Sequence, residues 1–193
     1  MYKFARTIVY GFVKLIRRFQ VEGKENIPKD GGCILAANHR SYWDPVFVGL
    51  ACPRVINFMA KKKLFEHPFL GFLLRHLKAF PVNQQIADRK AIKTALDILE
   101  SQQVLGIFPE GTRSQEGLLP PQAGTAMLAL KTNVPIIPVA IQDQRGFRGR
   151  VKVKIGSPLL PGSEENTQLN HKEHLKQVSL KIMQELERLL QEN

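Results

Sequence analysis

Six short apolar runs alternate along this chain with longer stretches whose apolar residues recur every three or four positions. That alternation narrows the fold more than any other feature. A strand buried on both faces is written as a nearly unbroken apolar run, and a parallel neighbour requires a helical crossover between them. The runs at 32–37, 55–60, 78–82, 104–108, 135–142 and 151–155 are read as strands. Residues 45–51, 68–77, 88–102 and 123–131 are read as helices; in 88–102, Ile92, Ala95, Leu96 and Leu99 share one face. A closing amphipathic helix over 171–190 uses Leu175, Val178, Ile182, Leu186 and Leu189. The expected fold class is α/β, a mostly parallel sheet flanked by helices. Functional sites in such sheets gather beyond the carboxyl ends of the strands. At 193 residues the chain suffices for one such domain.

The first 20 residues follow a different rule. Phe4, Ala5, Ile8, Val9, Phe12, Leu15, Ile16 and Phe19 recur at helical spacing, with Lys3, Thr7, Tyr10, Lys14, Arg17 and Arg18 opposite. An N-terminal amphipathic helix is therefore expected over 1–20, with the main domain over 21–193. A cationic polar face and a Phe-rich apolar face fit a helix lying in an anionic membrane surface. A helix packed on its own domain is the alternative. No run is long enough to span a bilayer, and no cleavable signal is expected, because charges occur throughout the first 20 residues. The expected place is peripheral, at the cytoplasmic face of the cell membrane.

The chain has 28 Lys+Arg against 17 Asp+Glu, a net charge of +11, so an anionic partner is expected. Nucleic acid is excluded as that partner, because the basic–aromatic interleaving and motifs of its binders are missing. Cys33 and Cys52 lie in apolar surroundings and read as buried thiols. The five histidines, His39, His67, His76, His171 and His174, are scattered, so no metal or other cofactor is expected.

Two stretches carry chemistry. Asn38-His39-Arg40-Ser41-Tyr42-Trp43-Asp44 follows the first apolar run, and Phe108-Pro109-Glu110-Gly111-Thr112-Arg113-Ser114 follows the fourth. A carboxylate bonded to one imidazole nitrogen sets the tautomer and leaves the other nitrogen free to take a proton. Asp44 before Pro45 also reads as a helix N-cap, so the loop from His39 has to fold back for the pair to meet. In the second stretch Gly111 permits close backbone approach, Thr112 and Ser114 offer hydroxyls, and Arg113 offers a planar fork suited to phosphate. Glu110 stands where it can hold that fork. Taken singly, each stretch equally fits a structural turn, with Asn38 and Ser41 as turn formers.

Taken together, and about 70 residues apart, the two stretches resemble the glycerolipid acyltransferase family of the lysophosphatidic acid type. That family carries Asn-His-x-x-x-x-Asp followed by Phe-Pro-Glu-Gly-Thr-Arg-Ser. Residues 58–65 are similar to its Ala-Lys-Lys-Glu-Leu segment and residues 134–141 to its last block, so the likeness covers roughly 20–160. The resemblance implies the αβ fold of that family. It also implies transfer of a fatty acyl group from acyl-carrier protein or coenzyme A to the sn-2 hydroxyl of 1-acyl-glycerol-3-phosphate (lysophosphatidic acid), giving phosphatidic acid. His39 would be the general base and Asp44 its orienting partner. Lys61 and Arg113 would hold the acceptor phosphate, and Glu110, Gly111 and Thr112 would shape the acceptor pocket. The oxyanion donor is expected among the backbone N–H groups near His39. The apolar segment 69–77 reads as core, as a lipid-facing surface or as an acyl groove.

Two departures stand out. The Asp-Arg pair in the family's second block is Asn83-Gln84 here, with Lys78 or Arg89 available to replace the lost charge, and Lys63 takes the place of a usual Glu. Both bear on which acceptor is taken. Other lipid hydroxyls, water as acceptor, and a non-catalytic membrane-binding module are the alternatives.

Overall fold

A computed structural model of the chain describes residues 2–83, 88–144, 149–162 and 170–192. The strands are β1 (Arg18–Glu22), β2 (Cys33–Ala37), β3 (Ile56–Lys61), β4 (Phe80–Val82), β5 (Val104–Ile107), β6 (Ile136–Asp143) and β7 (Arg150–Ile155). They form one sheet in the order β1-β7-β6-β2-β5-β3-β4. β6 and β7 pair antiparallel, while every other neighbouring pair is parallel. Consequently β2, β3, β4, β5 and β6 all end at the same edge of the sheet.

The helices are α1 (Tyr2–Ile16), α2 (Asp44–Ala51), α3 (Pro68–His76), α4 (Arg89–Glu100), α5 (Gly124–Thr132) and α6 (His171–Gln191). The period-two geometry of β2 splits the core. Cys33, Leu35 and Ala37 face Phe47 and Val48 of α2 and Val13 of α1. Ile34 and Ala36 face Ala95 and Leu99 of α4, Leu128 of α5 and Ile182 and Leu186 of α6. Helices thus cover both faces, as the alternating pattern requires. Both cysteines are buried and form no disulfide, and burial pushes the Cys33 thiol up to about 11, partly offset by Arg54.

The N-terminal segment departs from expectation. The helix stops at Ile16, and Arg18–Glu22 is an edge strand paired in register with β7 from Arg18↔Arg150 to Glu22↔Lys154. Phe19 therefore sits in the core beside Phe47, with ring centroids 6.1 Å apart. The sheet's demand for a partner along β7 outweighs the continuation of helical spacing. Arg17, placed by spacing on the polar face, turns inward to pair with Asp143 and donates to the carbonyls of Gln144 and Gly149. Within α1, Val13 is buried and Val9 packs on the core, whereas Phe12 is exposed and Leu15 is 76% exposed. The helix both docks on the domain and presents an apolar ridge outward. The side chains of Lys3, Phe4, Ala5 and Ile8 lie outside the described residues, as do Gln84 and the side chains of Phe69, Leu70 and Leu73. On α3, Phe72 is exposed, so that part of the helix is not core. No helix among the described residues is long and apolar enough to cross a membrane.

Candidate active site

The site forms where β2 and β5, adjacent and parallel, release their chains at the same edge. Asn38 closes β2. Its side-chain N–H donates to Ile141 O at 3.1 Å and its side-chain carbonyl accepts the Ile141 N–H at 2.7 Å. A wholly buried amide thus extends the β2–β6 ladder by one pair. It does more than form a turn.

The loop beyond it wraps around Asp44. One carboxylate oxygen, Oδ2, meets His39 Nδ1 at 2.9 Å and accepts the backbone N–H groups of Arg40 and Ser41, each at 2.6 Å. The Asp44 side chain is 2% exposed and that of His39 18%. A carboxylate only accepts, so Nδ1 carries the ring proton and Nε2 has its lone pair free. Asp44 is the first residue of α2 and not its cap; Trp43 takes the cap position without a side-chain bond. The three donors of the preceding loop outcompete the helix amides for this oxygen. The imidazole lies over Phe108, with centroids 4.0 Å apart and planes at 21°, and Phe58 supports Phe108 from 6.2 Å. Gly106 makes room for that support, because a Cβ there would meet the Phe58 ring at 2.4 Å.

The second loop is held by Glu110, which is 3% exposed. Its Oε1 accepts the His39 N–H at 2.8 Å and its Oε2 the Leu119 N–H at 2.9 Å. Gly111 adopts φ +71°, a left-handed turn that favours glycine. The Ser114 N–H returns to His39 O at 2.8 Å, and Arg40 Nη2 donates to Gln115 O at 3.1 Å. Glu110 therefore fastens the two loops together and does not hold the Arg113 fork. Arg113 instead donates through Nη2 to the Tyr42 hydroxyl at 2.9 Å, with its guanidinium 3.6 Å from the centroid of that ring.

Of the residues singled out from sequence, His39, Asp44 and Glu110 form one hydrogen-bonded unit, and Gly111 turns the chain beside it. Lys61, Thr112 and Arg113 line the exposed rim, Lys61 at the end of β3, next but one to β2. The Asn83 N–H bonds to Asp88 at 2.9 Å, and this bond with that of Ala91 holds the Asp88 carboxyl below its usual range. Lys78 and Arg89 are exposed. A cavity of about 280 Å³ lies on the β6 side of Asp44, lined by Arg40, Ser41, Asp44, Ile141 and Asp143; Arg113 and Lys61 stand outside it.

The expected oxyanion donor is not met at most of the loop. The amides of His39, Arg40, Ser41, Trp43 and Asp44 are all taken, two of them by Asp44 and one by Glu110. Within 39–44, only the Tyr42 N–H has no acceptor among the described residues. Tyr42 as the seat of Arg113, and Phe108 as the floor under the imidazole, were not expected. No spacing signal separates Tyr42 from Trp43 beside it.

Comparison with known proteins adds to this geometry. A family model described as acyltransferase matches residues 18–142. A 1-acyl-sn-glycerol-3-phosphate acyltransferase of Bacillus subtilis is 33% identical over 165 residues, covering 82% of this chain and 82% of that protein. One from Streptococcus pneumoniae is 34% identical over 143 residues, covering 70% of this chain and 53% of that protein. A crystal structure of the 1-acyl-sn-glycerophosphate (LPA) acyltransferase, PlsC, from Thermotoga maritima superposes with a TM-score of 0.77 at 30% identity, covering 100% of this chain and 80% of that one.

Proposed function

The chain belongs to the acyltransferase family, and on that premise we propose that it moves a fatty acyl group from an acyl thioester to the sn-2 hydroxyl of 1-acyl-glycerol-3-phosphate, forming phosphatidic acid. The observation that carries the reading is the 2.9 Å contact between His39 Nδ1 and a nearly buried Asp44, which leaves Nε2 free. In the reaction, Nε2 takes the acceptor's hydroxyl proton as that oxygen attacks the thioester carbonyl carbon. The tetrahedral intermediate collapses, the C–S bond breaks, and the thiolate leaves and is protonated from the imidazolium. Proton transfer of this kind contributes roughly 10²–10⁴-fold. Asp44 keeps the tautomer and steadies the imidazolium, and no protein side chain is acylated.

Lys61 and Arg113 hold the acceptor phosphate from the exposed rim, and Gly111 and Thr112 form the wall beside it. The thioester arrives on acyl-carrier protein or coenzyme A, and the reaction requires no cofactor. The outward apolar ridge of α1, at Phe12 and Leu15, rests in the cytoplasmic membrane surface, where acceptor and product reside. The test is turnover of lysophosphatidic acid with both donors, read by product mass. Phosphatidic acid from the wild-type protein, abolished by His39→Ala, is the expected result; no product with either donor overturns the reading.

A further inference from the structure

We propose that Tyr42 is a positioning residue that seats Arg113 for the acceptor phosphate and sets its distance from His39. This rests on the functional reading above. Tyr42 is 72% exposed, yet its ring and its hydroxyl are both engaged by one guanidinium. A large aromatic side chain standing in solvent has no packing role, and here its contact is an arginine from a loop 71 residues away in sequence.

The geometry has a direct consequence for anion binding. A free exposed arginine loses rotamer freedom when it closes on a phosphate, and that loss weakens the complex. Arg113 is already held at two points: its guanidinium carbon lies 3.6 Å from the ring centroid, and the hydroxyl accepts a single N–H. The remaining guanidinium N–H groups have no acceptor among the described residues. They retain the fork geometry that a phosphate accepts.

Tyr42 also stands on the loop that carries the base. The amides of Arg40 and Ser41 are pinned to the oxygen that orients His39. Base and phosphate seat thus ride on one fixed segment, and the span between them is determined by the 39–44 loop. An acceptor whose phosphate sits on Arg113 brings its hydroxyl to Nε2 at a set reach. Tyr42 selects for a phosphorylated headgroup through Arg113, without itself touching the reacting atoms.

The experiment is steady-state kinetics of Tyr42→Ala and Tyr42→Phe with lysophosphatidic acid, and with glycerol 3-phosphate as competing phosphate probe. Tyr42→Ala is expected to raise the acceptor KM roughly tenfold and the inhibition constant of glycerol 3-phosphate in step, with kcat and the donor KM within about threefold. Tyr42→Phe keeps the stack and is expected to recover most of the acceptor KM. In an Arg113→Ala background, Tyr42→Ala should add less than about twofold, because the two act as one unit. An unchanged acceptor KM in Tyr42→Ala, a fall in kcat alone, or additive effects with Arg113→Ala would each overturn the inference while wild-type turnover stands. A wild-type protein inactive on lysophosphatidic acid would overturn the functional reading and this inference together.

Discussion

The buried and exposed halves of the site are held in opposite ways. Asp44 and Glu110 lie out of solvent, and between them they accept four backbone N–H groups and one imidazole. Lys61, Thr112 and Arg113 stand at the rim, where Arg113 has a single aromatic seat. A buried carboxylate without donors is severely destabilising, so the interior half tolerates little change. Exposed cations remain hydrated and inexpensive to keep until an anion arrives. Under the proposed function, the buried half orients the base and the exposed half captures the phosphate.

If that division is correct, substitutions in the two halves should have different signatures. The largest effect is expected from His39→Ala: kcat falls about 10³-fold, while Tm by calorimetry stays within a few degrees, because Asp44 keeps the Arg40 and Ser41 N–H groups when the ring is removed. Retained turnover would break the division at its centre. Glu110→Ala should come next, through stability. It leaves the partly buried His39 and Leu119 amides unpaired, for a loss of about 3 kcal/mol and a fall in Tm of roughly 6–12 °C. Lys61→Ala, measured in the same way, should leave Tm nearly unchanged.

Arg113→Lys is expected to sharpen the contrast from the other side. The point charge is kept but the fork and its stack on Tyr42 are lost, so acceptor KM rises about tenfold with Tm unaltered. Equal loss of stability in this variant and in Glu110→Ala would erase the distinction. The smallest effect is that of salt. Raising ionic strength from about 0.05 to 0.3 M should weaken acceptor binding roughly twofold through screening of the rim, and should leave the melting temperature where it was.

Legibility in the sequence follows the same boundary. The runs that form β2, β5 and β6 were readable because a central strand is apolar on both faces, and these three are central. β1 was not readable. Arg18–Glu22 fits the helical spacing that precedes it and fits period two as well, and only the open edge of β7 decides between them. Asp44 shows a related conflict: followed by Pro45 it has the form of a cap, yet its oxygen is claimed by the imidazole and two amides of the preceding loop. Glu110 and Arg113, three residues apart, read as a pair and have separate partners.

Apart from β1, the order of elements, the two strand-end loops and the residue types able to handle a proton or a phosphate were determined by sequence alone. They depend on local periodicity and on side-chain chemistry, both of which are local properties. Which donor meets which acceptor was decided only by the tertiary structure. His39 and Glu110 are 71 positions apart, and Tyr42 and Arg113 likewise. The parallel pairing of β2 with β5 places each pair within hydrogen-bond reach, because it delivers both loops to one edge.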